Sequence, residues 1–190
     1  ILCAHATNSV SAILRAKLVT DCVELDLVVS ETGKMEIFHP PSPNGHFDFK
    51  FIADNLLEGL NHVWLDGKNI ADPVKCEVVL NFLATDQTPS RYFIEFPSVA
   101  ALSLEALEPC LHSLKALGVV VSYYVPTDTA SACTKAISAT QNFPTEQDSC
   151  TDLSKNIGGV LENGLFRNLS FDYANYQVIE RLTREMPEVR

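Results

Sequence analysis

Two segments of the sequence carry charged side chains spaced two residues apart among apolar neighbours. Glu24 and Asp26 lie in one segment, and Asp66 and Lys68 lie at the end of another. Residues two apart in a β-strand point to the same face, so each pair is expected on one face of a sheet. Three converging carboxylates repel one another unless a divalent cation compensates them. Because oxygen ligands favour Mg²⁺ or Ca²⁺ over zinc, the predicted cofactor is Mg²⁺ (or Ca²⁺), with Glu24, Asp26 and Asp66 as its ligands.

Two histidines and the lysine add groups suited to acid–base chemistry on a phosphate. His5 directly follows the first apolar segment, and His39 ends the third. Two imidazoles suit a reaction in which one takes a proton and the other gives one, so both are predicted to be catalytic. Lys68 beside a cation indicates a second anion, namely the phosphate of a substrate.

The segments that carry these residues alternate with stretches of helical periodicity. Helices are predicted over residues 9–18, 48–60, 109–117 and 175–184, and another is predicted to open at Asp72-Pro73. Strands are predicted over residues 1–4, 22–29, 35–39, 62–66, 91–96, 119–125 and 168–173. Such alternation is typical of a parallel sheet with helices outside it.

The order of these elements predicts an α/β fold, specifically a compact TIM-type (β/α) barrel that forms one domain over residues 1–190. The carboxyl ends of barrel strands form the active face, and the polar residues fall at those ends. Seven strands are counted. An eighth is short, lies beyond Arg190, or lies within residues 127–165. This last segment is the least regular and is expected to be a long loop excursion.

Four motifs in the first 70 residues resemble the phospholipase C-like phosphodiesterase superfamily. They are Ala4-His5-Ala6-Thr7-Asn8-Ser9, Glu24-Leu25-Asp26, His39-Pro40-Pro41 and Leu65-Asp66-Gly67-Lys68. The superfamily includes glycerophosphodiester phosphodiesterases and the spider-venom sphingomyelinase D toxins, and the likeness is closest to its menorin branch. The first motif departs from the His-Arg-Gly of typical glycerophosphodiesterases, which leaves the substrate open.

The resemblance implies a phosphoric diester hydrolase or a phospholipase D-like lyase that acts on glycerophosphodiesters or (lyso)phospholipid headgroups. In the family pattern two histidines are catalytic, three carboxylates hold one Mg²⁺ or Ca²⁺, and a lysine contacts the phosphate. The matching residues are His5 and His39, then Glu24, Asp26 and Asp66, then Lys68. A non-catalytic menorin-like binding module on the same barrel is the alternative. A zinc amidohydrolase would need a His-x-His pair on the first strand, where only His5 occurs.

Three further polar residues at or near strand ends are candidate substrate contacts. They are Glu95, Tyr124 and Asp172. A structural role is open to each, because polar residues are common where strands end.

Composition limits the partners. The chain has 14 basic and 24 acidic residues and a formal net charge of −10, which argues against binding to nucleic acid and against attachment to anionic lipid by charge. No apolar run approaches the roughly 20 residues of a transmembrane helix. The partner that the resemblance implies is a small-molecule or lipid phosphodiester.

The six cysteines contain no CxxC pair, so a structural zinc site is not expected. Cys3 and Cys22 fall in predicted core strands and are interpreted as buried thiols. Cys133 and Cys150 are candidates for a loop disulfide. The chain enters a predicted strand directly at Ile1, so an upstream secretory signal and a secreted or periplasmic location are the favoured expectations.

Overall fold

A computed structural model describes residues 2–42, 45–97, 104–140, 149–162, 164–166 and 168–185. Its contacts divide the chain into two compact units, Ile1–Val121 and Ser122–Arg190. Both units combine helices with strands, and most of the paired strands are parallel. The α/β class is confirmed, while a single domain over residues 1–190 stays a prediction.

The first unit is built on strands in the order β3-β2-β1-β4-β5. Their bounds are β1 (Cys22–Val29), β2 (Met35–Ile37), β3 (Phe47–Asp48), β4 (His62–Gly67) and β5 (Tyr92–Phe96). Strands β1, β4 and β5 are parallel, whereas β2 is antiparallel to both β1 and β3. The pairing described for this unit does not close on itself, so a closed barrel is not shown.

The parallel register aligns the polar positions predicted from the sequence. Asp26 is opposite Asp66, and Asp66 is opposite Glu95. Paired residues of neighbouring strands project to the same side, so these carboxylates share one face of the sheet, called here the polar face. The alternate residues of the same strands, such as Leu25 and Leu65, are fully buried. One face of the sheet thus belongs to the apolar core, and the other carries the ionisable groups.

Helices of the first unit begin where capping residues stand in the sequence. Their bounds are α1 (Val10–Ala16), α2 (Phe49–Asn55), α3 (Pro73–Leu83) and α4 (Leu104–Ala116). Ser9 Oγ accepts a hydrogen bond from the Ala12 N–H, and Asp72 accepts one from the Val74 N–H at 2.8 Å. These contacts satisfy N–H groups that a first helical turn leaves without partners, so the predicted starts at Ser9 and Asp72 are confirmed.

Strand β6 (Val120–Tyr124) contains the boundary between the units at Val121, and its residues 122–124 pair in parallel with β7 (Asn168–Ser170) of the second unit. The helices of the second unit are α5 (Thr127–Thr140), α6 (Ser149–Glu162) and α7 (Tyr176–Glu185). The expectation of a loop excursion over residues 127–165 is wrong, because α5 and α6 occupy most of that segment. The apolar stripe of α6, which includes the buried Leu153, Ile157 and Val160, has helical spacing among many small and polar residues.

All six cysteines form disulfides, namely Cys3–Cys22, Cys76–Cys110 and Cys133–Cys150. The interpretation of Cys3 and Cys22 as buried thiols is therefore wrong. A parallel bridge between Ala4 and Val23 sets the two cysteines next to each other on adjacent chain segments. The candidate disulfide between Cys133 and Cys150 is confirmed. No described helix combines the length and apolar character needed to cross a membrane.

A partly buried group of hydrogen-bonded residues around Asp86 holds the start of β5. The Asp86 carboxylate accepts hydrogen bonds from the Thr88 N–H at 2.8 Å, the Tyr92 hydroxyl at 2.9 Å and the Arg91 guanidinium at 3.1 Å. Burial acts to raise the pKa of Asp86, but these donors outweigh it and bring the pKa below its ordinary value of 3.8. The ionised carboxylate therefore stabilises the native state.

We expect Asp86→Asn to lower the free energy of unfolding by about 1–3 kcal/mol at pH 7, because two partly buried donors lose their charged partner. The contribution of a carboxylate with a lowered native pKa is complete well above the unfolded value of 3.8 and is lost as pH falls through the native pKa. The difference between variant and parent should therefore be constant from about pH 6 to 8 and shrink below about pH 4.

Urea unfolding at several pH values measures this difference. The matched control is Asp54→Asn, which removes an exposed carboxylate paired with Lys50 on α2 and should change stability by less than about 0.5 kcal/mol. Equal stability of Asp86→Asn and the parent at pH 7 would contradict the prediction.

Candidate functional site

Three carboxylates converge on the polar face of the first unit. One oxygen from each of Glu24, Asp26 and Asp66 lies within 4.8 Å of the others. The side chains of Glu24 and Asp26 are only 9% and 3% exposed, and that of Asp66 is 22% exposed. The convergence predicted from their two-residue spacing is therefore present, because parallel pairing of β1 with β4 places Asp26 beside Asp66.

Lys68 joins two of these carboxylates. Its Nζ lies 2.6 Å from Asp26 Oδ1 and also contacts Asp66 Oδ2. Its backbone N–H donates to the Leu27 carbonyl at 2.9 Å, which extends the contact between β1 and β4 past the end of β4. Burial acts to lower the pKa of Lys68, but the two carboxylates outweigh it and raise the pKa above its ordinary value. The ammonium group therefore stays charged across the physiological pH range.

Gly67, between Asp66 and Lys68, lies unusually close to Ile70 and to β5. A Cβ built on Gly67 would overlap the Ile70 side chain and lie 3.0 Å from the Glu95 carbonyl oxygen. The chain approaches its neighbours here more closely than any side chain would allow. A glycine at this position thus allows the end of β4 to lie close against β5.

A short stretch before α1, residues 3–8, runs along β1 and is called here the N-terminal segment. The Ala4 N–H donates to the Cys22 carbonyl at 3.0 Å, and the Glu24 N–H donates to the Ala4 carbonyl at 2.8 Å. Further along, the Thr7 N–H and hydroxyl both donate to the Glu24 carbonyl, at 3.0 and 2.7 Å. These bonds and the disulfide of Cys3 fix the segment against the carboxylate strand.

Ala6 has a left-handed backbone conformation with φ of 53°. This conformation is unfavourable for alanine, and such outliers concentrate at functional sites. Here it accompanies a hydrogen bond from the Ala6 N–H to Glu24 Oε2. The local backbone strain is thus coupled to the orientation of a site carboxylate.

The environment of Glu24 raises the pKa of its carboxyl above the ordinary value of 4.5. Burial is the largest cause of its raised pKa, which the Ala6 hydrogen bond opposes and the charge of Asp26 reinforces. His5 Nε2 lies 4.0 Å from Glu24 Oε2, while the His5 side chain is 88% exposed. His5 therefore stands at the solvent side of the cluster with one carboxylate beside it.

His39 lies two residues beyond β2, in a segment attached to the same strand. The N–H of the preceding Phe38 donates to the Asp26 carbonyl at 3.1 Å. His39 itself is exposed, and its carbonyl accepts from the Ser42 N–H at 2.9 Å. The backbone thus brings Phe38, the residue before His39, to the strand that bears Glu24 and Asp26, and the His39 side chain is exposed to solvent.

The other predicted contacts differ in their placement. Glu95 is 8% exposed and lies opposite Asp66 in the sheet, so it adds a fourth acidic residue to this row. Tyr124 and Asp172 belong to the second unit. The Tyr124 hydroxyl shares a hydrogen bond of 2.5 Å with Thr127 Oγ1, and Asp172 accepts from the Ala174 N–H at 2.9 Å. These are structural roles, and contact of either residue with a substrate stays a prediction.

Asn8 is a site residue that the search for ionisable groups missed. Its side-chain Nδ2 donates to Asp26 Oδ2, and its Oδ1 accepts from the Asp26 N–H at 2.8 Å. The asparagine is part of the quoted His-Ala-Thr-Asn motif, so the motif was the available signal. Because the amide of Asn8 is uncharged, a prediction based on carboxylates, imidazoles and ammonium groups leaves this residue out.

The donor set fits a single hard cation. Twice a Mg²⁺–oxygen distance of about 2.1 Å is about 4.2 Å, and twice a Ca²⁺–oxygen distance of about 2.4 Å is about 4.8 Å. The observed separation of the three oxygens, within 4.8 Å, agrees with one such ion after small side-chain shifts. Three carboxylates against the one ammonium of Lys68 also leave net negative charge for a cation to neutralise.

No protein-family model matches the chain, and no curated protein is significantly similar to it in sequence.

Proposed function

We propose that this protein is a Mg²⁺- or Ca²⁺-dependent phosphodiesterase that cleaves glycerophosphodiesters or (lyso)phospholipid headgroups. One observation carries the proposal: three carboxylates, a lysine and a histidine meet on one face of two adjacent parallel strands. Three of the four motifs that resemble the phospholipase C-like superfamily, closest to its menorin branch, contain the residues of this cluster, and the fourth contains His39. The resemblance and the geometry therefore support one reaction class.

A TIM-type (β/α) barrel is part of this proposal. Parallel strands β1, β4 and β5 support it, since α3 lies in the chain between β4 and β5. The parallel bridge between Ala4 and Val23 gives the N-terminal segment the place of an additional short strand, followed by α1. Asp66 and Glu95, each one residue before the end of its strand, match the active face of such barrels, and Glu24 and Asp26 lie within β1.

Glu24, Asp26 and Asp66 are the residues that would hold the cation. When bound, it supplies positive charge that stabilises the phosphoryl oxygens and orients the substrate. Lys68 Nζ lies next to two of the three ligands, so its ammonium group binds a phosphoryl oxygen from the same side.

The two exposed histidines handle the protons of an in-line attack at phosphorus. One imidazole accepts the proton of the nucleophile, and the other donates a proton to the leaving oxygen. A water nucleophile gives an open phosphate monoester. A neighbouring hydroxyl of the substrate gives a cyclic phosphate instead, which the resemblance to the venom enzymes makes the second product to look for.

Three disulfides support the expected secreted or periplasmic location. Disulfides persist in oxidising compartments and are rare in the cytosol. All six cysteines of the chain are paired, and the pairs lie within both units.

Phosphorus-31 NMR tests the reaction class directly. Glycerophosphocholine, lysophosphatidylcholine and sphingomyelin are each incubated with the protein and Mg²⁺, and again with EDTA. We expect a new phosphorus signal with Mg²⁺ that EDTA abolishes, and its chemical shift separates cyclic from open products. No new signal with any substrate, from folded protein shown to bind Mg²⁺, would contradict turnover and favour a non-catalytic menorin-like binding module.

We expect His5→Ala and His39→Ala each to reduce turnover by about 10²–10⁴-fold, because each removes one proton-transfer group. Both side chains are exposed, so the free energy of unfolding should change by less than about 0.5 kcal/mol. His112→Ala is the matched control, since His112 is an exposed histidine of α4 paired with Glu108. Turnover equal to that of the control in both variants would exclude the two-histidine mechanism.

We expect Asp66→Asn to weaken Mg²⁺ binding by more than about tenfold, because it replaces a charged ligand with a neutral amide. Isothermal titration calorimetry measures the affinity without requiring turnover. Asp54→Asn removes one exposed negative charge on α2 and controls for the change in net charge. Unchanged affinity in Asp66→Asn would remove Asp66 from the ligand set.

A further inference from the structure

Asn8 holds Asp26 at two points. The amide oxygen of Asn8 accepts from the Asp26 backbone N–H at 2.8 Å, while its amide nitrogen donates to Asp26 Oδ2. The other carboxylate oxygen of Asp26, Oδ1, lies 2.6 Å from Lys68 Nζ. Each oxygen of Asp26 therefore has a different partner, and the carboxylate plane is fixed within a site where Asp26 is 3% exposed.

The two bonds of Asn8 are not needed to attach the N-terminal segment. That segment is already held by the Cys3–Cys22 disulfide, the paired backbone bonds of Ala4, and two hydrogen bonds from Thr7 to the Glu24 carbonyl. The distinct effect of Asn8 is thus on the side chain of Asp26, whose Oδ2 it occupies.

The two candidate cations use a carboxylate differently. Ca²⁺ accepts six to eight oxygens and readily takes both oxygens of one carboxylate, whereas Mg²⁺ requires near-octahedral geometry and is served by single oxygens and water. A carboxylate with one oxygen held by an amide N–H has that oxygen partly engaged, so it binds a cation preferentially through its other oxygen. Such a ligand suits Mg²⁺ and denies Ca²⁺ part of the coordination that it favours.

We propose that Asn8 is a positioning residue that makes Asp26 a one-oxygen ligand and thereby selects Mg²⁺ over Ca²⁺. This inference rests on the proposed function, because it names the cation of that same site. Asp26 Oδ1 would be the ligand atom, and Lys68, which contacts Oδ1, would be placed to bind the phosphate. Asp26 Oδ2 would keep its hydrogen bond from Asn8.

Two variants and one control test the inference. Asn8→Ala removes both hydrogen bonds. Asn8→Leu removes the same bonds with an uncharged side chain of similar size, so it tests the same point if the alanine variant does not fold. The control is Asn69→Ala, because Asn69 makes an equivalent pair of amide hydrogen bonds to the backbone of Val29 on the same strand, at 2.9 and 2.8 Å, without touching a carboxylate.

Calorimetric titration with Mg²⁺ and, separately, with Ca²⁺ gives the ratio of the two affinities for each protein. We expect both Asn8 variants to shift this ratio toward Ca²⁺ by at least about tenfold, through weaker Mg²⁺ binding, stronger Ca²⁺ binding or both. Asn69→Ala should leave the ratio unchanged while lowering the thermal midpoint of unfolding.

The outcomes separate this inference from the proposed function. An unchanged ratio in a folded Asn8 variant would overturn the inference even if the parent protein turns over substrate, and so would failure of the parent to bind either cation. A shifted ratio would support it even if the parent gives no new phosphorus signal. In that case the phosphodiesterase proposal fails, and the role of Asn8 at a Mg²⁺ site stands.

Discussion

The candidate site depends on the attachment of the N-terminal segment to β1. Like charges at close range separate unless something other than their own contacts holds them. The β1–β4 pairing holds the three carboxylates together, and the backbone bonds along Ala4, Thr7 and Glu24 fix the N-terminal segment beside them. These backbone bonds bring an amide N–H to Glu24 and an asparagine to Asp26 at the positions where the carboxylates need donors. The segment therefore compensates part of the charge that β1 and β4 bring together.

The positive charge within the cluster does not balance the negative charge of its carboxylates. The ammonium group of Lys68 forms ion pairs with Asp26 and Asp66. The third carboxyl, that of Glu24, has a raised pKa because burial disfavours its charged form. A cluster built only for stability would be better served by apolar side chains of similar volume. Residual negative charge in a partly buried, oxygen-rich site is instead the condition under which a divalent cation binds.

The sequence predicted the parts of this arrangement that follow from local rules. Two-residue spacing placed Glu24, Asp26 and Asp66 on one face, and capping chemistry located the starts of α1 and α3. The failures concern contacts between distant residues and weak local signals. The Cys3–Cys22 disulfide could not be predicted, because both cysteines lie in apolar segments and such segments suit a buried free thiol equally well. Helix α6 was missed because Gly158-Gly159 interrupts a stripe whose spacing is otherwise helical.

The disulfide of Cys3 has a consequence for when the site gains its full restraint. Cys3 lies two residues before His5, and its bond to Cys22 closes the chain immediately upstream of Glu24. Reduction would remove this covalent restraint at the point where the histidine, the strained Ala6 and the carboxylate strand converge. The disulfide would thus add its restraint to the strand pairing and the backbone bonds only after the two thiols are oxidised. A newly made chain in a reducing environment would carry all the required side chains before this restraint holds them together.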